Sequence, residues 1–493
     1  MEKPKVRISV RNLVEFILRS GDLDNSRGSS GDKEAMLKGG RLHRKIQRSM
    51  KGNYQAEVSL KRESEYEDTI IQVEGRADGI FTEDGEVWID EIKGTYGNLQ
   101  AMEMPVPVHR AQAMCYGWIY GEKEGLSQIG IQMTYSHLDT EDTRRFREIF
   151  SMEELKKWYQ ELLDAYHKWI AYSLSWKKER NASMTDLQFP FPYREGQREI
   201  VSGVYHTVSS KKTLFVQAPT GVGKTMSAIF PSVRAIGEGK GETLFYLTAK
   251  TITGTVAWEA FHTLRENGLK FKVTAITAKE KLCFLDSPEC TPEKCPYAKG
   301  HFDRVNDAVY ELWTTEEVYS REVIRAHAEK WQVCPFEMCL DLSIWTDGVI
   351  CDYNYAFDPN VHLKRFFGDN ISGDYIFLID EAHNLEERGR EMYSADLYKE
   401  DVLAVKRIMK AHSRTICRIL DKCNKAMLEM KRECEHYQIL DSVGTLTFHL
   451  MRLASQMDEF LEKMKGRRVA VLGIGVSNRP LVRLLLQHGL DVT

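Results

Sequence analysis

Hydrophobic and polar positions change rhythm several times along the chain. Residues about 5–170 mix helical periodicity with a short strand-rich centre. The stretch "WKKERNASMTDLQFPFPYREGQ" is polar, then rich in proline and aromatics, and reads as a linker. From Thr213, strand-like apolar runs alternate with a helical one: "TLFVQAP", "TMSAIFPSVRAI", "TLFYLTAKT". That order predicts a parallel α/β unit. Residues about 390–465 read as helical with few breakers, and the last 27 residues open a strand–turn–helix pattern.

Inside the first segment, "EGRADGIFTEDGEVWIDEIKG" predicts two strands joined at Asp84-Gly85, a strong two-residue turn signal. With those residues as the loop, Glu83 faces Glu86 and Asp78 stands opposite Glu91. Facing carboxylates lie about 5 Å apart at Cβ and repel unless a cation sits between them. Oxygen ligands suit Mg²⁺ or Mn²⁺. Alternation by two puts Lys93 on the face of Glu91 and Asp90 on the other. An acidic surface hairpin without chemistry is the plain alternative.

Length and composition narrow the class. The 493 residues suggest roughly three domains at about 150 residues each. With 42% hydrophobic and 28% charged residues the chain reads as globular rather than disordered. A net charge of −4 gives no global basic excess, so any nucleic-acid surface must be local. No apolar run approaches the roughly 18 residues of a membrane span, and the start lacks the pattern of a signal peptide. A cytoplasmic setting is expected, where ten cysteines point to metal or catalysis before disulfides.

Two stretches form the halves of a nucleotide site. "TLFVQAPTGVGKT" places Ala218, Pro219, Thr220, Gly221, Val222 and Gly223 as a loop before Lys224 and Thr225. It matches a P-loop with alanine in place of the first glycine. Its backbone N–H groups can wrap phosphates, Lys224 can reach the β/γ-phosphates and Thr225 can ligate Mg²⁺. In "GDYIFLIDEAHN" an apolar strand ends in Asp380, which would hold Mg²⁺, and Glu381, which would orient the attacking water. Between the halves run Cys283, Cys290, Cys295 and Cys334. Four thiolates can hold zinc or a [4Fe–4S] cluster. The paired CxxC knuckles usual for zinc are absent, and unrelated buried cysteines are the third possibility.

A cysteine set between a P-loop and a DEAH box resembles the XPD/DinG family of iron–sulfur DNA helicases. "FPFPYREGQREI" resembles that family's adenine-recognition segment, with Gln197. "FYLTAKT" resembles its motif Ia, and "VCPFEMCLDLSIWTDGVICDYNYAFDP" its fourth cluster cysteine, Cys334, with Cys339 and Cys351 as spare candidates. The resemblance spans residues about 187–465. It implies ATP-driven movement on single-stranded or junction-containing DNA, with a [4Fe–4S] cluster where strands part. The helical segment would be the family's arch, and Lys406, Lys410, Arg414, Arg418 and Lys422, four residues apart, would form a basic stripe on one helix. A solvated face is the alternative.

The Asp78, Glu91, Lys93 set resembles the PD-(D/E)XK nucleases. His43 in "GGRLHRKIQ", with Gln112 and Tyr116 in "HRAQAMCYGWIY", resembles their RecB-like branch over residues about 8–170. In such sites Asp78, Glu91 and His43 bind metal while Lys93 activates water or stabilises developing charge. The implied fold is α/β: a RecB-like nuclease domain (1–175), then a RecA-like P-loop domain (176–275 and 346–390). An iron–sulfur insertion (276–345) and an incomplete helical arch (391–466) complete it. A second RecA-like domain is not found. Instead "GIGVSNRPL" resembles the start of a MurD-type ligase (467–493), and the chain reads as a shortened helicase joined to the start of another gene, with a true fusion as the alternative.

Overall fold

A computed structural model describes residues 3–24, 32–50, 53–219, 221–249, 251–286, 289–368, 371–432, 434–464, 468–469 and 491–492. The chain divides into two compact units, residues 384–493 making up most of the second. Among the described residues no helix is long and apolar enough to cross a membrane.

The first unit contains two sheets. One is built from β1 (Lys5–Ser9), β2 (Gln55–Glu65), β3 (Ile70–Glu83), β4 (Glu86–Thr95), β5 (Gln128–His137) and β6 (Thr143–Ser151). Its order is β1-β3-β4-β5-β6, with β2 also paired to β3. The β3–β4 hairpin turns at Asp84 and Gly85, both at positive φ (53° and 86°), as a tight turn between right-twisted strands requires. Glu83 pairs with Glu86 and Gly79 with Asp90, the expected register. β4 and β5 run parallel, and helix Pro107–Glu124 makes the crossover. That helix ends on Gly125 at φ 67°, a left-handed cap that costs glycine little.

The second sheet is wholly parallel, in the order β11-β7-β10-β8-β9: β7 (Thr243–Thr248), β8 (Val273–Ala275), β9 (Val318–Tyr319), β10 (Gly348–Asp352) and β11 (Tyr375–Ile379). The parallel α/β expectation holds, but one predicted strand does not form. Thr213–Pro219 has no regular structure, and Leu214, Phe215 and Val216 are 42%, 88% and 43% exposed. A strand exists through its ladder rather than its propensity, and among the described residues these have no ladder partner.

Helix Met152–Thr185 joins the two sheets. Ser151 and Glu154 start it with reciprocal capping hydrogen bonds. Its far end corrects the linker reading. Trp176, Arg180 and Met184 recur every four residues, are all buried, and continue the helix through Thr185. Trp176 Nε1 and Arg180 donate to Asp347 at 2.8 and 2.7 Å, and Met184 enters the core of the parallel sheet.

In the second unit, helices Lys399–Met409, Arg414–Arg432 and Thr445–Met464 pack around Val402, Met409, Ile416, Ile419, Leu420 and Cys423. The basic stripe is therefore not on one helix. The chain breaks at 410–413, where the Ser413 side chain accepts from Ile416 N–H. Lys406 lies on the first helix, Arg414, Arg418 and Lys422 on the next, and Lys406 pairs with Asp421. Of the MurD-like stretch only Arg468–Val469 and Asp491–Val492 are described, paired in parallel. The rest of that reading lies outside the described residues.

Candidate functional site

The predicted nucleotide residues converge at one end of the parallel sheet. Gly223 (φ 79°) starts helix Lys224–Gly237. Lys224 Nζ donates to Ala218 O at 3.1 Å and stands 3.8 Å from Glu381. β11 leads straight into Asp380, whose N–H donates to Leu247 O of β7. Burial first, then the charge of Glu381, raises the Asp380 carboxyl, so a cation there would be strongly favoured. Glu381 has a left-handed backbone (φ 49°), uncommon for a side-chain-bearing residue. The Tyr353 hydroxyl sits against the carbonyl oxygens of Asp380 and Glu381 and holds that turn. Gln197 is buried, with its amide bonded to Arg194 N and Val222 O, so it braces the loop that Pro219, Gly221 and Val222 belong to. Thr220 lies outside the described residues. Sequence reasoning missed Tyr246. Its hydroxyl is 3.5 Å from Thr225 Oγ1 and also bonds Asp380, so it bridges the two groups expected to hold Mg²⁺. The signal was present in "FYLTAKT", as a polar-tipped residue inside a buried strand.

The cysteines belong to the same unit, two of them in a buried cluster separate from the core of the parallel sheet. Cys295 and Cys334 share one buried cluster with Leu23 and Ala298. Cys334 caps helix Pro335–Ser343, and the N–H groups of Phe336 and Glu337 reach its sulfur. Those donors favour a thiolate, although burial pushes the free thiol up to about 12. Lys279 hydrogen-bonds Cys290 and feels Cys334. Cys283 ends the short helix Lys279–Leu282, and its sulfur accepts from Leu285 N–H at 3.4 Å. Cys339 and Cys351 sit elsewhere: Cys339 is 3.8 Å from Thr274 Oγ1 of β8, and Cys351 belongs to β10. All ten cysteines are free thiols.

In the N-terminal sheet, His43 Nδ1 is 3.6 Å from Asp78 Oδ1, and Asp78 Oδ2 accepts from Ile92 N–H at 2.7 Å. Burial opposes charge on His43, but the hydrogen bond and charge of Asp78 outweigh it and raise its pKa. Lys93 Nζ is 2.8 Å from Glu91 Oε1. Glu91 is 4% exposed and its Oε2 has no partner; the equally buried Gln112 also leaves Oε1 unpartnered. Burial, then the charge of Asp78, pushes Glu91 up to about 7. Tyr116 titrates well above the ordinary phenol range because of burial, with the charges of Glu91 and Asp78 adding to it. Asp90 faces away, bonded to Tyr54, Gln132 and Thr134. An orphaned carboxylate oxygen beside a second carboxylate is a donor set that fits a hard divalent cation. Among the described residues, however, no three His, Cys, Asp or Glu side chains are gathered closely enough to hold a metal ion between them, here or at the cysteines.

Residues 264–402 match the DEAD_2 family. That DEAD_2 segment contains the four cysteines and the Asp380-Glu381 pair. The chain is also similar to "Regulator of telomere elongation helicase 1 homolog" of Caenorhabditis briggsae, 24% identical over 260 residues, 44% of this chain and 26% of that protein. It is similar to "Fanconi anemia group J protein homolog" of Gallus gallus, 30% identical over 97 residues, 20% of this chain and 7% of that one. A third relative is "General transcription and DNA repair factor IIH helicase subunit XPD/RAD3" of Saccharomyces cerevisiae, 29% identical over 126 residues, 26% of this chain and 15% of that one. These matches support an XPD-type helicase family. The chain spans about a quarter or less of the length of the curated relatives it matches.

Proposed function

We propose that the chain is part of an ATP-dependent DNA helicase of XPD type, joined to a metal-dependent nuclease module and acting in DNA repair or processing. The observation that carries the motor half is the convergence of Lys224, Thr225, Tyr246, Asp380 and Glu381 at one end of the parallel sheet. ATP would sit with its phosphates on the loop before Lys224, and Mg²⁺ between Thr225 and Asp380. Glu381, close to Lys224 and turned by its left-handed backbone, would orient water. Cys283, Cys290, Cys295 and Cys334 are the residues that would hold a [4Fe–4S] cluster, which would stiffen the insertion. Two of the four support it: Cys295 and Cys334 share a buried cluster, and N–H groups at a helix start face the Cys334 sulfur, while Cys283 and Cys290 would have to close on them.

The nuclease half rests on the unpartnered, buried Glu91 oxygen beside Asp78 and Lys93. With Mg²⁺ or Mn²⁺ bound by Asp78 and Glu91, and His43 near them, Lys93 would stabilise charge on the attacked phosphate. A second reading is a DNA-binding nuclease whose helicase portion binds nucleotide without unwinding. It is favoured by the unpaired, exposed Thr213–Pro219 segment ahead of the P-loop. One experiment separates the two. ATP hydrolysis stimulated at least tenfold by single-stranded DNA and lost in Lys224→Ala supports the motor. Nucleotide binding with no DNA-stimulated hydrolysis supports the second reading. Loss of Mn²⁺-dependent DNA cleavage in Asp78→Ala supports the nuclease in either case, and unchanged cleavage removes it.

A further inference from the structure

Helix Pro107–Glu124 brings more than Gln112 and Tyr116 to the N-terminal site. One turn before Gln112 stands His109, and positions 109, 112 and 116 share a helical face. Its Nδ1 is 3.1 Å from the Tyr135 hydroxyl, and that hydroxyl accepts from Val106 N–H at 2.9 Å. The hydroxyl both donates and accepts; with its one hydrogen given to Nδ1, the imidazole's own hydrogen lies on Nε2. Among the described residues Nε2 has no partner. Tyr135 is fully buried and pairs in register with Lys93 across β4 and β5, so the ring it fixes stands beside the site's lysine. Burial, then the positive charges of Lys93 and Arg11, lowers the imidazole pKa to about 4, consistent with a neutral ring.

We propose that His109 is a substrate-binding residue of this site, its Nε2–H donating to a non-bridging oxygen of the DNA phosphate beside Lys93. This rests on the nuclease reading above. The chemistry favours such a donor. Lys93 is already engaged with Glu91 at 2.8 Å, so it offers the phosphate only part of its hydrogen-bonding capacity. A second cation would compete with a bound metal for the same oxygens, whereas a neutral donor adds a contact without repelling the metal. The Tyr135 hydroxyl, itself held by Val106 N–H, positions the ring before DNA arrives, which limits the ordering cost on binding.

The test uses the full chain, Mn²⁺ and a labelled single-stranded oligonucleotide, with wild type, Asp78→Ala, His109→Ala and His109→Gln compared. The proposal expects His109→Ala to raise KM for DNA about tenfold with a smaller fall in kcat. It expects His109→Gln, whose amide N–H can stand in for Nε2–H, to recover most of that loss. Unchanged kinetics in His109→Ala, with cleavage still lost in Asp78→Ala, would overturn the assignment while leaving the nuclease intact. Equal losses in His109→Ala and His109→Gln would overturn it too, since only packing would then be at stake. Cleavage that survives Asp78→Ala would remove the nuclease reading itself and this proposal with it.

Discussion

Glu91→Gln gives the most direct test of a cation-demanding carboxylate pair. Glu91 is buried, faces the charge of Asp78, and has Lys93 as an incomplete counterweight. Its carboxyl titrates at about 7 in the fold against an ordinary 4.5. Between those values the folded state keeps a proton that the unfolded state has released, so stability falls as pH rises across that window. Fully above it, the penalty is roughly 3 kcal/mol in the metal-free protein, or on the order of 100-fold in a local opening equilibrium. Glutamine keeps the shape and carries no charge. At pH 8 without metal, amides of β3 and β4 should therefore exchange up to ~100-fold more slowly in Glu91→Gln than in wild type, read by hydrogen exchange and mass spectrometry. At pH 4, below both values, the two proteins should match. Mn²⁺ at pH 8 should slow exchange in wild type and leave the variant unchanged. A variant that exchanges faster than wild type at pH 8, or that still responds to Mn²⁺, would refute the reasoning.

Two further expectations follow from other parts of the fold. Tyr246→Phe removes the hydroxyl between Thr225 and Asp380, a hydrogen bond of about 1 kcal/mol; the Mg²⁺ concentration for half-maximal ATP hydrolysis should rise about fivefold, while an unmoved value would deny Tyr246 a part in the site. Leu23→Ala opens the cluster shared with Cys295 and Cys334, a truncation worth roughly 2 kcal/mol, so alkylation of those two thiols should quicken about 30-fold with the Asp78–Glu91 site untouched; equal labelling rates would show that Leu23 does not seal them.

Leu23 belongs to a docking that no local pattern announces. Arg19 stands 2.8 Å from Asp341 and donates to Asn306 Oδ1, Gly21 N–H donates to Asp303, and Leu23 N–H donates to Ala298 O at 2.8 Å. Phe16 packs on Trp169 and Trp345. Leu23 thus forms part of the buried cluster that holds Cys295 and Cys334. His109 was hidden for the same reason: its partner Tyr135 lies 26 residues away on a neighbouring strand.

The sequence by itself determined the features whose causes are local. Asp84-Gly85 chose the turn, the turn set the register, and the register put Asp78 and Glu91 together with Lys93 on their face and Asp90 on the other. Glycine spacing likewise placed Lys224 at a helix start. Tertiary structure decided whatever depends on distant partners. The apolar run Thr213–Pro219 lacks a ladder and stays irregular, whereas the polar run from Trp176 buries one face and stays helical. Lys410 falls at a helix end, which splits an evenly spaced row of basic residues between two helices. The physical reason is range: turn and cap energies act over a few bonds, while burial and strand pairing are fixed only when remote segments meet.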